Sequence, residues 1–203
     1  MLDVLRERVM KEISPRRFCH TLAVEEMVSR LCALFCPEHT FSMRAAALLH
    51  DLTKEKSAEE QLALCDSLGL DVSESDKASP KLYHARTAAA LIPLEFGEFN
   101  DPVIVSAVRW HTTGRAGMTL TEKLLYLADY IDESRSFENC VLLRRYFFGA
   151  YPERMNAEEL AELLRKTLIL SYDMTIRDLL NEGRPVAHDT VAARNELVLS
   201  GVI

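Results

Sequence analysis

No run of apolar residues in this chain approaches the roughly 20 that a membrane-spanning helix needs; the longest, such as Ala45-Ala46-Ala47-Leu48-Leu49, are short. Basic residues do not dominate either. Lys and Arg number 24 against 31 Asp and Glu, a formal charge of −7, which argues against a general nucleic-acid binder and leaves room for a small anion held by a few local cations. Glycine is scarce, at seven in 203 residues, and no alternating Val/Ile/Thr run with hairpin turns occurs, so a sheet is not expected. The first 15 residues carry Asp3, Arg6, Glu7, Arg8, Lys11 and Glu12, so the apolar centre of a signal peptide is missing there. Five cysteines, with no Cys-x-x-Cys, offer no disulfide framework and point to reduced thiols in a cytoplasmic protein. Repeats, low-complexity tracts and Pro/Gly/Ser linkers are also missing. At 48% hydrophobic and 27% charged residues the composition is globular and excludes disorder, collagen and coiled coil.

What is there reads as helix throughout. Ser14-Pro15, Ser79-Pro80 and Asp101-Pro102 each set a capping side chain before a proline at a first helical position. Ser57–Glu60, Thr119–Glu122 and Asn156–Glu159 have the spacing of capping boxes. Apolar residues recur at helical period: Phe18, Leu22, Leu31, Leu34 and Phe35 on one stripe, Leu160, Leu163, Leu164, Leu168 and Leu179 on another. The expectation is an all-α single domain over residues 1–203, with a helical C-terminal extension over 150–203. Apolar residues such as Phe147 and Phe148, if exposed, favour a homodimer.

Within that frame several polar residues stand where burial is costly. Asp129 interrupts the apolar stretch Leu124-Leu125-Tyr126-Leu127-Ala128-Asp129-Tyr130-Ile131, and His50-Asp51 ends the apolar helix that begins near Met43. A buried carboxylate needs a partner or a cation, and imidazole with carboxylate is a ligand set for Fe, Mn, Co or Zn. His20, His50, Asp51, His84, His111 and Asp129, on separate helices or helix ends, therefore form a candidate metal site. His188-Asp189 is a second His-Asp pair, expected in a loop after Gly183-Arg184-Pro185 and away from the site.

The order His, His-Asp, His, His, Asp resembles the HD-domain phosphohydrolase superfamily. Arg16-Arg17-Phe18-Cys19-His20-Thr21-Leu22, Ala47-Leu48-Leu49-His50-Asp51-Leu52-Thr53-Lys54, His111-Thr112-Thr113-Gly114-Arg115 and Leu127-Ala128-Asp129-Tyr130-Ile131 resemble, more narrowly, the YqeK family. The likeness spans Ser14 to Phe137 and reaches Thr190–Asn195 more weakly. It implies an HD-domain helical bundle with its metal-binding core at 14–137, a two-iron centre, and the activity of a symmetrical diadenosine tetraphosphate hydrolase that releases two ADP. It also implies that His20, His50, Asp51, His84, His111 and Asp129 are the metal ligands, and that nucleotide touches Arg17, Lys54, His111, Thr112 and Arg135. Two places depart from the family pattern. Ala85-Arg86-Thr87 follows His84 where Pro and Gly are usual, and Ser134 stands where Pro is usual.

Six protein ligands exceed what one hydrolytic ion with an open position takes. Two ions are expected, the first on His20, His50, Asp51 and Asp129, the second on His84 and His111, with Asp51 bridging. A pair of ions supports a metal-bound hydroxide as nucleophile by lowering the pKa of water to about 7. The polyphosphate needs further positive charge. Lys54, one turn after Asp51, Arg17, one turn before His20, and Arg135 are expected to supply it, with Thr112 donating through hydroxyl or main chain. Arg115 is a further candidate, and Tyr172, Met174 and Arg177 are candidates for the base. The expected partners are a dinucleoside polyphosphate and ADP, with no nucleic acid and no membrane. The alternatives are an HD-type phosphohydrolase for another nucleotide and a non-catalytic nucleotide sensor.

Overall fold

The computed structural model describes residues 1–73 and 77–201, so Val202 and Ile203 of the expected extension lie outside the described residues. Among the described residues there are ten α-helices and no strand. They are α1 (Leu2–Glu12), α2 (Pro15–Phe35), α3 (Thr40–Leu49), α4 (Ala58–Ser67), α5 (Tyr83–Glu95), α6 (Pro102–Trp110), α7 (Leu120–Ile131), α8 (Glu138–Gly149), α9 (Ala157–Asn181) and α10 (His188–Leu199). None is long and apolar enough to cross a membrane.

The helix starts follow local chemistry. Ser14 accepts from the Arg17 N–H, and Asp101 from the Val103 N–H at 2.7 Å, each just before a proline whose missing N–H costs nothing there. Ser57 with Glu60, Thr119 with Glu122 and Asn156 with Glu159 are complete reciprocal capping boxes opening α4, α7 and α9. Ser79-Pro80 behaves otherwise. It opens only a three-residue 3-10 turn, Pro80–Leu82, without a side-chain cap, and α5 begins at Tyr83.

Helix α3 is the centre of the bundle. It packs on α1, α2, α6 and α7, and Ala45, Ala46 and Ala47, all fully buried, let those neighbours approach its backbone closely. Helices α5 and α6 pack together, α6 and α2 pack on α7, and α9 lies against α8 and α10. One cluster of buried apolar side chains runs from Leu5 to Leu197 and includes Leu163, Leu164, Leu168 and Tyr172 of α9.

Two expectations about the surface are corrected here. Phe147 is fully buried, against Phe35 and Phe148, and Phe148 is half-buried beneath the Arg30 guanidinium, so neither offers an apolar face to a second copy. His188 and Asp189 are not in a loop: they form the first turn of α10.

Candidate metal centre

The helices α2, α3, α5, α6 and α7 converge so that the polar residues sit at their ends. His20 lies in α2, His50 and Asp51 in the turn that follows α3, His84 at the start of α5, His111 just past α6, and Asp129 near the end of α7. The structure brings all six together. Asp51 faces all four imidazoles: His84 Nε2 and His111 Nε2 lie 3.3 and 3.7 Å from its Oδ1, His50 Nε2 and His20 Nε2 lie 3.5 and 3.8 Å from its Oδ2. Asp129 Oδ1 is 3.0 Å from His20 Nε2 and 3.7 Å from His50 Nε2. His50, Asp51, His84 and His111 are buried, whereas His20 and Asp129 are partly open, which makes theirs the accessible edge.

The ring orientations have a common cause. His50, His84 and His111 each donate from Nδ1 to the carbonyl three residues earlier, Ala47, Lys81 and Val108, at 2.6, 2.5 and 2.7 Å. That keeps a proton on Nδ1 and turns each Nε2 inward, free to offer its lone pair once it carries no proton; the Nδ1 contact is the second bond that metal-binding histidines ordinarily make. The consequence is a set of acceptors facing acceptors. His84 Nε2 and His111 Nε2 are 3.1 Å apart, while His50 Nε2 and Asp51 Oδ1 are buried with no hydrogen-bond partner. Such orphaned polar atoms are expensive unless positive charge lies among them, a proton on His50 or a metal ion in its place. His20, His50 and Asp129 form one group close enough to share an ion, and His50, Asp51 and His111 another. The donor set therefore fits divalent metal.

Cations already crowd the carboxylates. Arg17 Nη1 is 2.7 Å from Asp51 Oδ2 and Arg135 Nη2 is 2.6 Å from Asp129 Oδ1. Lys54 Nζ donates to His84 Nε2 at 3.1 Å, and the Thr112 hydroxyl lies between His84 Nε2 and His111 Nε2 at 3.2 and 3.1 Å. Burial, and then the Lys54 charge, hold His84 well below the usual imidazole pKa, and burial lowers His111. Burial also opposes an imidazolium at His50, yet the Asp51 charge with Asp129 outweighs it and pushes the pKa up to about 10. Burial likewise opposes the Asp51 and Asp129 carboxylates; the imidazoles at Asp51, and Arg135 with the imidazoles at Asp129, override it and hold both well below the usual range.

Three cavities flank the centre. One of about 690 Å³ is bounded by His20, Arg16, Arg17, Arg135 and Phe137. One of about 500 Å³ is bounded by His84, Arg17, Lys54, Lys56 and Lys81. A third, of about 410 Å³, lies between Arg86, Arg109, Thr112, Thr113 and the start of α10, so His188 and Asp189 line a cavity that reaches Thr112.

Other candidates lie elsewhere. Arg115 is not turned toward phosphate: its guanidinium bonds Glu122 Oε1 at 3.0 Å and sits over Trp110. Tyr172 is fully buried, stacked on Tyr126 with ring centroids 4.7 Å apart, its hydroxyl donating to Met118 sulfur, so it lines no base pocket. Met174 is half-buried and Arg177 exposed on the same helix.

Sequence reasoning missed the supports. Thr53, Gln61 and Thr87 form a buried hydrogen-bonded cluster in which Thr53 Oγ1 donates to the His84 carbonyl at 3.1 Å, tying the Asp51–Lys54 turn to α4 and α5. Thr190 Oγ1 donates to the Thr113 carbonyl at 3.1 Å, and Glu196 accepts from the Gly117 N–H, so α10 holds the loop after His111. Buried polar side chains among apolar neighbours were the one available signal.

An all-helical bundle with imidazoles and carboxylates at converging helix ends defines an HD-domain protein: the family pattern described as HD domain matches residues 17–134, and the chain belongs to that family. Within it the chain is YqeK-like. It is 32% identical over 191 residues to the symmetrical bis(5'-nucleosyl)-tetraphosphatase of Bacillus subtilis (strain 168), covering 94% of each chain. It is 30% identical over 193 residues to the protein of the same name from Halalkalibacterium halodurans, again covering 94% of each. The Staphylococcus aureus protein of that name is 29% identical over 84% of this chain and 86% of its own. Among solved structures, a protein from Clostridium acetobutylicum described as a "predicted HD superfamily hydrolase involved in NAD metabolism" superposes with a TM-score of 0.85 at 30% identity, covering 98% of each chain.

Proposed function

We propose that this chain is a metal-dependent phosphoanhydride hydrolase that cuts a dinucleoside tetraphosphate, diadenosine tetraphosphate first of all, at its midpoint into two ADP. The observation that carries the reading is Asp51, a buried carboxylate facing four imidazoles within 3.8 Å while Arg17, Lys54 and Arg135 line the same rim. His20, His50, Asp51, His84, His111 and Asp129 would hold two ions, with Asp51 shared. Iron is the assignment, with Mn, Co or Zn as substitutes. Bound there, the ions would supply activated water and Lewis-acid charge at the phosphorus under attack.

The chain's own residues do the remaining work. Arg17 and Arg135 neutralise Asp51 and Asp129 until cations take over that task, and then hold phosphate oxygens. Lys54 presents an ammonium beside His84, and Thr112 adds a hydroxyl between His84 and His111. An ADP leaving group whose phosphate oxygens meet these cations needs no dedicated acid. His20 and His84 sit at the two ends of the row of imidazoles, and the larger two cavities open one at each. A substrate with a nucleoside on each side of the scissile bond fits that arrangement. Residues 14–137 carry the site, and α10, through Thr190 and Glu196, braces it within one domain. The five free thiols support a cytoplasmic setting.

The test is to incubate the iron-loaded protein with diadenosine tetraphosphate and resolve the products by anion exchange. ADP alone is expected. AMP with ATP would mean asymmetric cleavage, and nucleotide bound without product would mean a sensor.

A further inference from the structure

We infer that Asp132, acting with Ser134, is a positioning residue of the metal centre, fixing the ring of His20 and the guanidinium of Arg135; this rests on the metal reading above. Main-chain carbonyls orient three of the four imidazoles, but His20 is oriented otherwise. Its Nδ1 faces Ser134 Oγ at 3.2 Å and Asp132 Oδ2 at 3.5 Å. Asp132 ends α7, three residues past Asp129, and its side chain is fully buried. Its Oδ1 accepts from the Ser134 N–H at 2.9 Å and from the Ser134 hydroxyl. Its Oδ2 is a buried oxygen without a hydrogen-bond partner, turned toward His20 and toward Arg135 Nε at 3.2 Å. A carboxylate this deep is costly unless its charge acts on its neighbours.

Both neighbours belong to the site. A negative charge beside Nδ1 keeps the proton there, leaves the Nε2 lone pair facing Asp129 and Asp51, and makes the imidazole a stronger donor to metal. The same carboxylate faces Arg135, whose Nε also donates to the Asp129 carbonyl and whose Nη2 donates to the Asp129 carboxylate at 2.6 Å. Asp132 thus sets both a ligand and the cation that shields another.

The full-length protein, stripped with chelator, is titrated with Mn2+ in a calorimeter as parent, Asp132→Asn, Asp132→Glu and Ser134→Ala, with thermal melts of each metal-free form. Asp132→Asn is expected to bind Mn2+ about 10- to 100-fold more weakly with its melting temperature nearly unchanged. Asp132→Glu is expected to recover most of the affinity, and Ser134→Ala to lose several-fold. Mn2+ affinity within about twofold of the parent in Asp132→Asn would overturn the assignment while leaving the metal reading standing. If Asp132→Asn loses its helical circular-dichroism signal, Ser134→Ala decides, and unchanged affinity there overturns it. A parent that takes up no Mn2+ refutes the metal reading and this assignment with it.

Discussion

Asp51 faces Arg17 and all four imidazoles, so its removal strips both halves of the centre of a shared partner. Asp51→Ala is expected to abolish uptake of both ions, read by elemental analysis, and turnover with it; retained turnover would refute a shared carboxylate. Lys54 is different, since it touches His84 but offers no lone pair to metal. Lys54→Ala is expected to keep two ions per chain and to raise KM roughly ten- to a hundredfold, the worth of one charge-assisted hydrogen bond. Loss of metal in that variant would instead assign Lys54 to holding His84. These candidates were legible because a carboxylate inside an apolar helix, or a lysine one turn from one, has few other reasons to be there. Asp132 was not, because its spacing alone does not show that its oxygen lies beneath His20.

At the scale of elements, the loop between α6 and α7 carries His111 and Thr112 into the centre and then turns at Gly114, whose φ is +63°. A Cβ there would lie 2.0 Å from the Tyr172 hydroxyl. Gly69, at φ +64° with nothing within 4 Å, is the matched control. Gly69→Ala carries backbone strain alone, about 1 kcal/mol, whereas Gly114→Ala adds the clash and is expected to cost about 3 kcal/mol. Thermal unfolding should show shifts of about 3 °C and about 9 °C; equal shifts would mean Tyr172 gives way freely. The prolines and capping boxes made most helix starts readable, since they depend on neighbours within four residues. Ser79-Pro80 misled for the same reason: its turn is local, but the point at which α5 begins is set by packing of that helix against α4 and α6.

Across the whole molecule, metal, protons and folding are linked. In the metal-free protein His50 is protonated up to a pKa of about 10, above its ordinary value, so that contribution to stability is present below about pH 6.5 and fades as pH rises through about 10. An ion at His50 must displace this proton. Metal affinity is therefore expected to rise with pH between 7 and 9, by about tenfold per unit for each proton released. Calorimetry in two buffers of different ionisation heat counts the protons, and an affinity flat with pH would sink the claim. Saturating metal should also raise the melting temperature, by about 2.7 kcal/mol of stability at a hundred times Kd, and chelator should reverse it.

The amino-acid sequence by itself determined the helical class, most helix boundaries and the six ligand candidates, because helix period, caps and buried polar residues are written within a few positions of one another. Only the tertiary structure decided which of those side chains share a carboxylate, that Arg115 serves Glu122 and Tyr172 serves the core, and that α10 braces the His111 loop. Those outcomes depend on contacts between residues dozens of positions apart, and a chain carries no local mark of what will lie opposite it once packed.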